Sequence, residues 1–355
     1  MRKILTMLVC LLLLAPRLCA WNAEGHMVVA QLAYNHLDSV VKTRCDALIA
    51  VPLTNASAGT SNFVTAAVWA DDFKTALGTG IWHYLDIPFS LDGTATNGVS
   101  SASFDVVRAI NQCVATLQNT SAAATNRATC LRYLLHLVGD IQQPLHCCTA
   151  VYVGKTSGDS GGNGFTLTGA AWSNLHSLWD DGGGFLGDTI TRPFTTNSFA
   201  MVSNKVAVVE TNYPFVSNPG VIPDPMTWAV EGKNLGQSNA YAGIVRGSAP
   251  TTNYLDATIA LTKARMALGG QRLADLLNTL FAPMPVALTP QTIASNTFIF
   301  SWSASPSKTY RVQWKAQLTA AAWNDLPDVL AATNSVAYTN AVGATQRFYR
   351  VVGVD

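Results

Sequence analysis

The apolar residues of this chain change their period once, at the proline-rich stretch APMPVALTP, residues 282–290. Before it they recur every three to four positions, the spacing of one helix face. After it they alternate or cluster in short runs rich in β-branched and aromatic residues. MVVAQLAYNHLDSVV, FDVVRAINQCVATL and ATCLRYLLHLVGDI carry the helical period. So does YLDATIALTKARMALGGQRLADLLNTLF, in which Gly269-Gly270 marks a soft spot or break. TFIFSWSA, KTYRVQWK, VAYTNA and RFYRVVGV read as strands with turns between them. Four or more strands in about 65 residues predict a small β-sandwich behind a mainly α-helical region. At 355 residues the chain exceeds one ordinary core, in keeping with two domains.

Residues 1–20, MRKILTMLVCLLLLAPRLCA, read as a secretory signal. Arg2 and Lys3 precede an apolar run from Leu5 to Ala15, and Leu18-Cys19-Ala20 is a passable small-residue cleavage site. The run is short for a membrane span. The expected division is therefore a signal at 1–20, a helical domain at 21–281, a linker at 282–290 and a β-module at 291–355. The expected address is secreted, periplasmic or extracellular, after cleavage before Trp21. Cleavage leaves 19 basic and 21 acidic side chains, a formal charge of −2. A duplex-binding protein relying on Lys and Arg would be more basic. Cys45, Cys113, Cys130, Cys147 and Cys148 remain, and their odd number leaves at least one thiol unpaired within a chain. A bond between the adjacent Cys147 and Cys148 would be strained, so a disulfide, if present, is expected between Cys113 and Cys130 across a helix hairpin.

The chain has only six histidines. His136/Asp140 and His176/Asp180 share an i, i+4 spacing, which on a helix places both side chains on one face, close enough to hold one ion. Imidazole with carboxylate suits zinc. Pro144 breaks the helix after Asp140 and is placed to turn His146 back toward the same region. Each residue has an ordinary explanation: a satisfied core histidine, a solvated helix end, a surface pair. Taken one by one those readings are better; taken together they are weaker, because all the histidines but His36 fall in polar-ligand settings. Trp21 fits the same pattern. Freed by cleavage, its α-amine and carbonyl can chelate a metal, and a reference pKa of roughly 8 makes the neutral amine accessible.

As an ordered set, WNAEGH, AAVWADDFK, WHYLDIP, LLHLVGDIQQPLH, DSGGNGF and NLHSLWDDGGG resemble the S1/P1 nuclease family over nearly all of 21–281. The chain has Asn22 where the family usually has Gly and Gln142 where it usually has His, neither a metal ligand in that family. The resemblance implies a mainly α-helical zinc-cluster domain of the phospholipase C/nuclease-like type, holding three Zn2+. Asp71, His83, His136 and Asp140 would hold one zinc. Trp21, His26 and the bridging Asp140 would hold a second, and His146, His176 and Asp180 a third. The implied activity is endonucleolytic hydrolysis of single-stranded DNA and RNA to 5′-phosphate products, with 3′-nucleotidase activity left open. Six metal charges against three ligand carboxylates would supply the cationic site that the chain lacks. Asp71, Lys74 and Asp140 would serve catalysis. Tyr84 would stack a base, and Asp86 and Asn163 would hydrogen-bond it, which favours single strands because duplex bases hide their faces. Asn163 also suits a plain turn and Lys74 a plain surface position.

A zinc-dependent phospholipase C is the alternative. The five-residue spacing from Trp21 to His26 and an Asp as last ligand favour the nuclease. The C-terminal region resembles fibronectin type III-like modules. Its Trp302, Trp314, Trp323, Phe348 and Tyr349 suit packing better than a carbohydrate or cell-surface contact.

Overall fold

A computed structural model describes residues 21–354 except 101, 170, 218–223, 283–284, 287, 295–296, 307 and 342–345. The proposed leader lies outside these residues. Helices α1 (Ala23–Asn35) and α2 (Ser39–Ile49) divide the first apolar-periodic stretch at His36–Asp38. Asn22 starts α1: its side-chain oxygen accepts from Gly25 N at 3.1 Å, satisfying one of the open amides of the first turn. Short α3 (Phe63–Ala66) leads into α4 (Trp69–Leu77), which stops at Gly78 in the left-handed region (φ 68°). α5 (Val106–Gln118), capped by Asp105, and α6 (Ala124–Asp140) pack as an antiparallel pair. α7 (Leu175–Asp180), α8 (Thr196–Asn212), α9 (Pro225–Leu235) and α10 (Thr252–Leu280) complete the helical region.

α1 is the hub. It is buried along Glu24–Ala33 and packs against α3, α6, α8 and α10. The Gly269-Gly270 pair does not break α10, which runs unbroken through it. A Cβ on Gly270 would sit 2.5 Å from Leu32 Cβ, so these glycines serve close approach to α1 rather than flexibility.

Two four-residue strands, β1 (Ile87–Ser90) and β2 (Cys148–Val151), pair in parallel with Ile87 opposite Cys148. Just before them, Leu85 N donates to His146 O at 2.8 Å. This zips the WHYLD and PLH segments together. Neither strand is long enough to show a period in the sequence.

The C-terminal region is a sandwich of two antiparallel sheets. One orders β3 (Pro285–Val286), β9 (Phe348–Gly353), β6 (Thr309–Lys315) and β7 (Asn324–Leu330); the other orders β4 (Leu288–Ala294), β5 (Thr297–Ser303) and β8 (Ser335–Ala341). Part of the expected linker is thus strand: 285–286 pair with β9, and 288–290 with β5. Trp302 is buried in the sandwich core, and Tyr349 packs on Phe298 and Phe300. Arg347 covers Trp314, and Lys315 and Arg350 cover Trp323. These residues are occupied by packing and cation–π contacts, so the carbohydrate expectation has no support. The disulfide expectation is corrected too. The five cysteines among the described residues, Cys113 and Cys130 included, are free thiols.

Candidate metal centre and substrate pocket

The helix ends place the expected ligands. The last turn of α6 brings His136 and Asp140 to the base of a cleft, α1 brings His26 from one side, and α4 brings Asp71 from another. His83 lies in the turn before β1. Asp140 is fully buried, with Oδ1 3.3 Å from His26 Nε2 and Oδ2 at 3.2 Å from His136 Nε2 and 3.0 Å from His83 Nδ1. Asp71 Oδ1 lies 3.6 Å from both His83 Nδ1 and His136 Nε2. A second gathering forms where α7 meets the PLH turn: Asp180 Oδ2 is 3.4 Å from His176 Nε2, and its Oδ1 is 3.9 Å from His146 Nε2. Three His/Asp groups result in which the candidate ligand atoms lie within 4.8 Å of one another: His26/Asp71/His136, His83/His136/Asp140 and His146/His176/Asp180.

Backbone carbonyls orient the rings. His136 Nδ1 pairs with Ala67 O at 2.6 Å, His146 Nδ1 with His83 O at 2.9 Å, and His176 Nδ1 with Gly161 O at 2.7 Å. With Nδ1 donating to a carbonyl, Nε2 is the nitrogen turned inward, and it can hold a metal once the cation has displaced any proton there. Both ring nitrogens of His26, both carboxylate oxygens of Asp140 and Nε2 of His146 are buried without a hydrogen-bond partner. Such orphans are costly in a folded protein, and a divalent cation satisfies them; this donor set fits zinc. The electrostatics show the same crowding. Burial and the neighbouring His136 push His26 down to about 3. Burial disfavours charge on His136 as well, but Asp140 and Asp71 outweigh it and raise His136 to about 9. Burial likewise works to raise Asp71, yet His136 and Lys74 hold it down at about 2. Asp180 is pushed well above the usual carboxylate range by burial, against a 2.7 Å hydrogen bond from Gln143 Nε2.

Trp21 is fully buried, and its indole donates to Gly139 O at 3.0 Å, one residue before Asp140. Asn22 N donates to Asp180 O at 3.1 Å. Trp21 and Asn22 are thus tied to both gatherings.

A cavity of about 690 Å³ opens beside His83, His146 and His176, lined by Lys74, Tyr84, Asp86, Ser160 and Asn163. Lys74 Nζ lies 2.9 Å from Asp71 Oδ1. Burial, with Asp159 nearby, lifts Asp86 to about 6. Of the candidate residues, His26, Asp71, His83, His136, Asp140, His146, His176 and Asp180 fall in the three groups, and Lys74, Tyr84, Asp86 and Asn163 line the cavity, while Trp21 is placed beside them through Gly139. The structure adds Gln143 and Asn22, which showed in the sequence only as an amide beside Pro144 and a helix cap beside Trp21.

The family model described as S1/P1 Nuclease matches residues 21–282. The chain belongs to the S1/P1 nuclease family. It is 26% identical over 294 residues to Endonuclease 4 of Arabidopsis thaliana, covering 75% of this chain and 90% of that protein. It is also 26% identical over 291 residues to Nuclease P1 of Penicillium citrinum, covering 73% and 97%. Nuclease PA3 of a Penicillium species matches to the same extent. As an S1/P1 family member the chain is a phosphodiester hydrolase of a zinc-dependent family, acting on nucleic acid. These relationships do not favour the phospholipase C alternative. No helix among the described residues is long and apolar enough to cross a membrane.

Proposed function

We propose that this protein is an exported endonuclease that requires three Zn2+ and cleaves single-stranded DNA and RNA to 5′-phosphate products. The observation that carries the reading is a cavity lined by His83, His146 and His176, members of two of the three His/Asp groups, together with Tyr84, Asp86 and Asn163. The ligands would be Asp71, His83, His136 and Asp140 for one ion, Trp21, His26 and Asp140 for the second, and His146, His176 and Asp180 for the third. Zinc held there would supply Lewis acidity, polarising phosphate and activating water near neutral pH.

The chain's own residues do the rest. Tyr84 presents a ring on which an unpaired base stacks. Asn163 already donates its side-chain N–H to Ser160 O at 2.8 Å, which leaves its carbonyl oxygen to accept from a base edge. Asp86 accepts a second hydrogen bond while ionised. Lys74, paired with Asp71, places a positive charge next to the reacting phosphate. A base inside a duplex can reach none of these groups without unstacking, so single strands are preferred.

The test uses protein beginning at Trp21. Zinc per chain and release of acid-soluble nucleotides are measured on single-stranded DNA, single-stranded RNA and duplex DNA. Three zinc ions and faster release from single strands are expected, with activity lost to a chelator and restored by zinc. Asp140→Asn is expected to lose more activity than Asp180→Asn, because Asp140 serves two ions. Equal losses remove the bridging role, and a zinc-loaded protein inert on every nucleic acid removes the reading itself.

A further inference from the structure

Asp159 is a buried carboxylate, 1% exposed, with no ion-pair partner among the described residues. Such a group is costly unless neutral donors surround it. Here they do. Oδ1 accepts from Ala150 N at 3.0 Å, Gly162 N at 3.1 Å and Thr149 Oγ1 at 3.5 Å, and the buried Tyr241 hydroxyl lies 2.9 Å from both carboxylate oxygens. The Asp159 carbonyl accepts from Gly164 N at 2.8 Å. Donors from β2, from the loop itself and from the segment after α9 therefore meet on one side chain.

The loop so anchored, residues 158–164, has two working faces. On one, Gly161 O accepts from His176 Nδ1 at 2.7 Å and so sets the orientation of a candidate ligand. Gly161 is wedged here, since a Cβ would overlap Leu145 O in the turn that carries His146. On the other face, Ser160 and Asn163 line the cavity. Ser160 is the only non-glycine residue with positive φ (57°) among the described residues, a conformation that persists only where its surroundings impose it.

We propose that Asp159, held by Tyr241, is a positioning residue that couples the base-binding side of the cavity to the His146/His176/Asp180 group through this one loop. Neither residue touches substrate or metal. Asp159 fixes Gly162, and with it Gly161 O and Asn163 move as a unit. A change at Asp159 should therefore loosen one metal and weaken base binding together, whereas a change at Asn163 should weaken base binding alone.

The proposal rests on the nuclease reading for its kinetic arm only. Full mature Asp159→Asn, Tyr241→Phe and Asn163→Ala proteins are compared with the parent by competition of bound zinc with a chelator, by KM and kcat on single-stranded DNA, and by hydrogen exchange of residues 158–164. Tyr241→Phe removes one hydroxyl and keeps the ring that packs on Phe89 and Phe165, so it decides the matter if Asp159→Asn does not fold. Loss of an outer-shell partner typically costs about 10–100-fold in metal affinity or activity. The expected result is about a tenfold easier loss of one zinc, a KM raised more than kcat is lowered, and faster exchange confined to the loop, with Asn163→Ala changing KM alone. Zinc competition and KM both within twofold of the parent in a folded variant overturn the proposal, even if the melting temperature falls. If the parent has no nuclease activity, the reading above fails while zinc competition and exchange still decide the coupling.

Discussion

Asp86 shows how a single side chain can work against the fold it serves. Its folded pKa of about 6 lies above its ordinary 3.8, with burial the larger cause and Asp159 the second. The folded state therefore binds the proton more tightly than the unfolded chain does. Ionisation opposes folding, a cost fully present above about pH 6 and absent below about pH 4. Asp86→Asn is expected to raise Tm at pH 8, with the gain shrinking to nothing as pH falls to 4, and to raise KM on single-stranded DNA at pH 8. Thermal melts at the two pH values and a KM measurement check this. A Tm difference independent of pH would mean that the carboxylate is not the cause. The stability cost is the expected signature of a group kept for binding.

Among the elements, α10 and α1 depend most on the absence of a side chain. Gly270→Ala pits two effects against each other. Ala is favoured over Gly inside a helix by about 1 kcal/mol. Against that stands a Cβ only 2.5 Å from Leu32 Cβ. Overpacking typically costs about 1–3 kcal/mol, and neither atom is the far end of a flexible chain, so the clash should win. Gly270→Ala is expected to lower Tm, and with it zinc retention, because α1 carries His26 into the cluster. A raised Tm would show that the helices separate cheaply. The α5–α6 pair holds a different kind of contact. The neighbouring Cys113 draws the Cys130 thiol down to about 7, although burial resists this.

At the scale of the whole molecule, the helical region and the sandwich meet at Arg44 of α2. Its guanidinium donates to Phe281 O at 2.9 Å and Gly353 O at 2.8 Å, with longer contacts to Ala282 O and Val354 O. One side chain thus holds the end of α10 and the last strand together. All candidate ligands lie before residue 282, so protein ending at residue 281 is expected to keep its zinc and its rate on single-stranded DNA. It should melt lower, because Arg44 loses its carbonyl partners at Ala282, Gly353 and Val354. For a domain of this size, each kcal/mol lost shifts Tm by about 2–4 °C. A folded truncate without zinc would show that the sandwich supports the metal centre. An unchanged Tm would make Arg44 a passive contact.

The sequence by itself determined the order of helical and β regions, because burying one face imposes a period of 3.6 in a helix and 2 in a strand. It also made four candidate ligands legible, since the i, i+4 pairs His136/Asp140 and His176/Asp180 are local consequences of helix geometry. Contacts distant in sequence were decided only by the tertiary structure. Gly269-Gly270 reads as a break until α1 is seen packed against it. β1 and β2 are too short to show a period, and only their pairing brings His83 beside His146. Asp159 is given no role by its place in DSGGNGF until Tyr241, 82 positions later, closes on its carboxylate. Local spacing is set along the chain, whereas the meaning of a glycine or a buried carboxylate depends on what distant segment fills the space beside it.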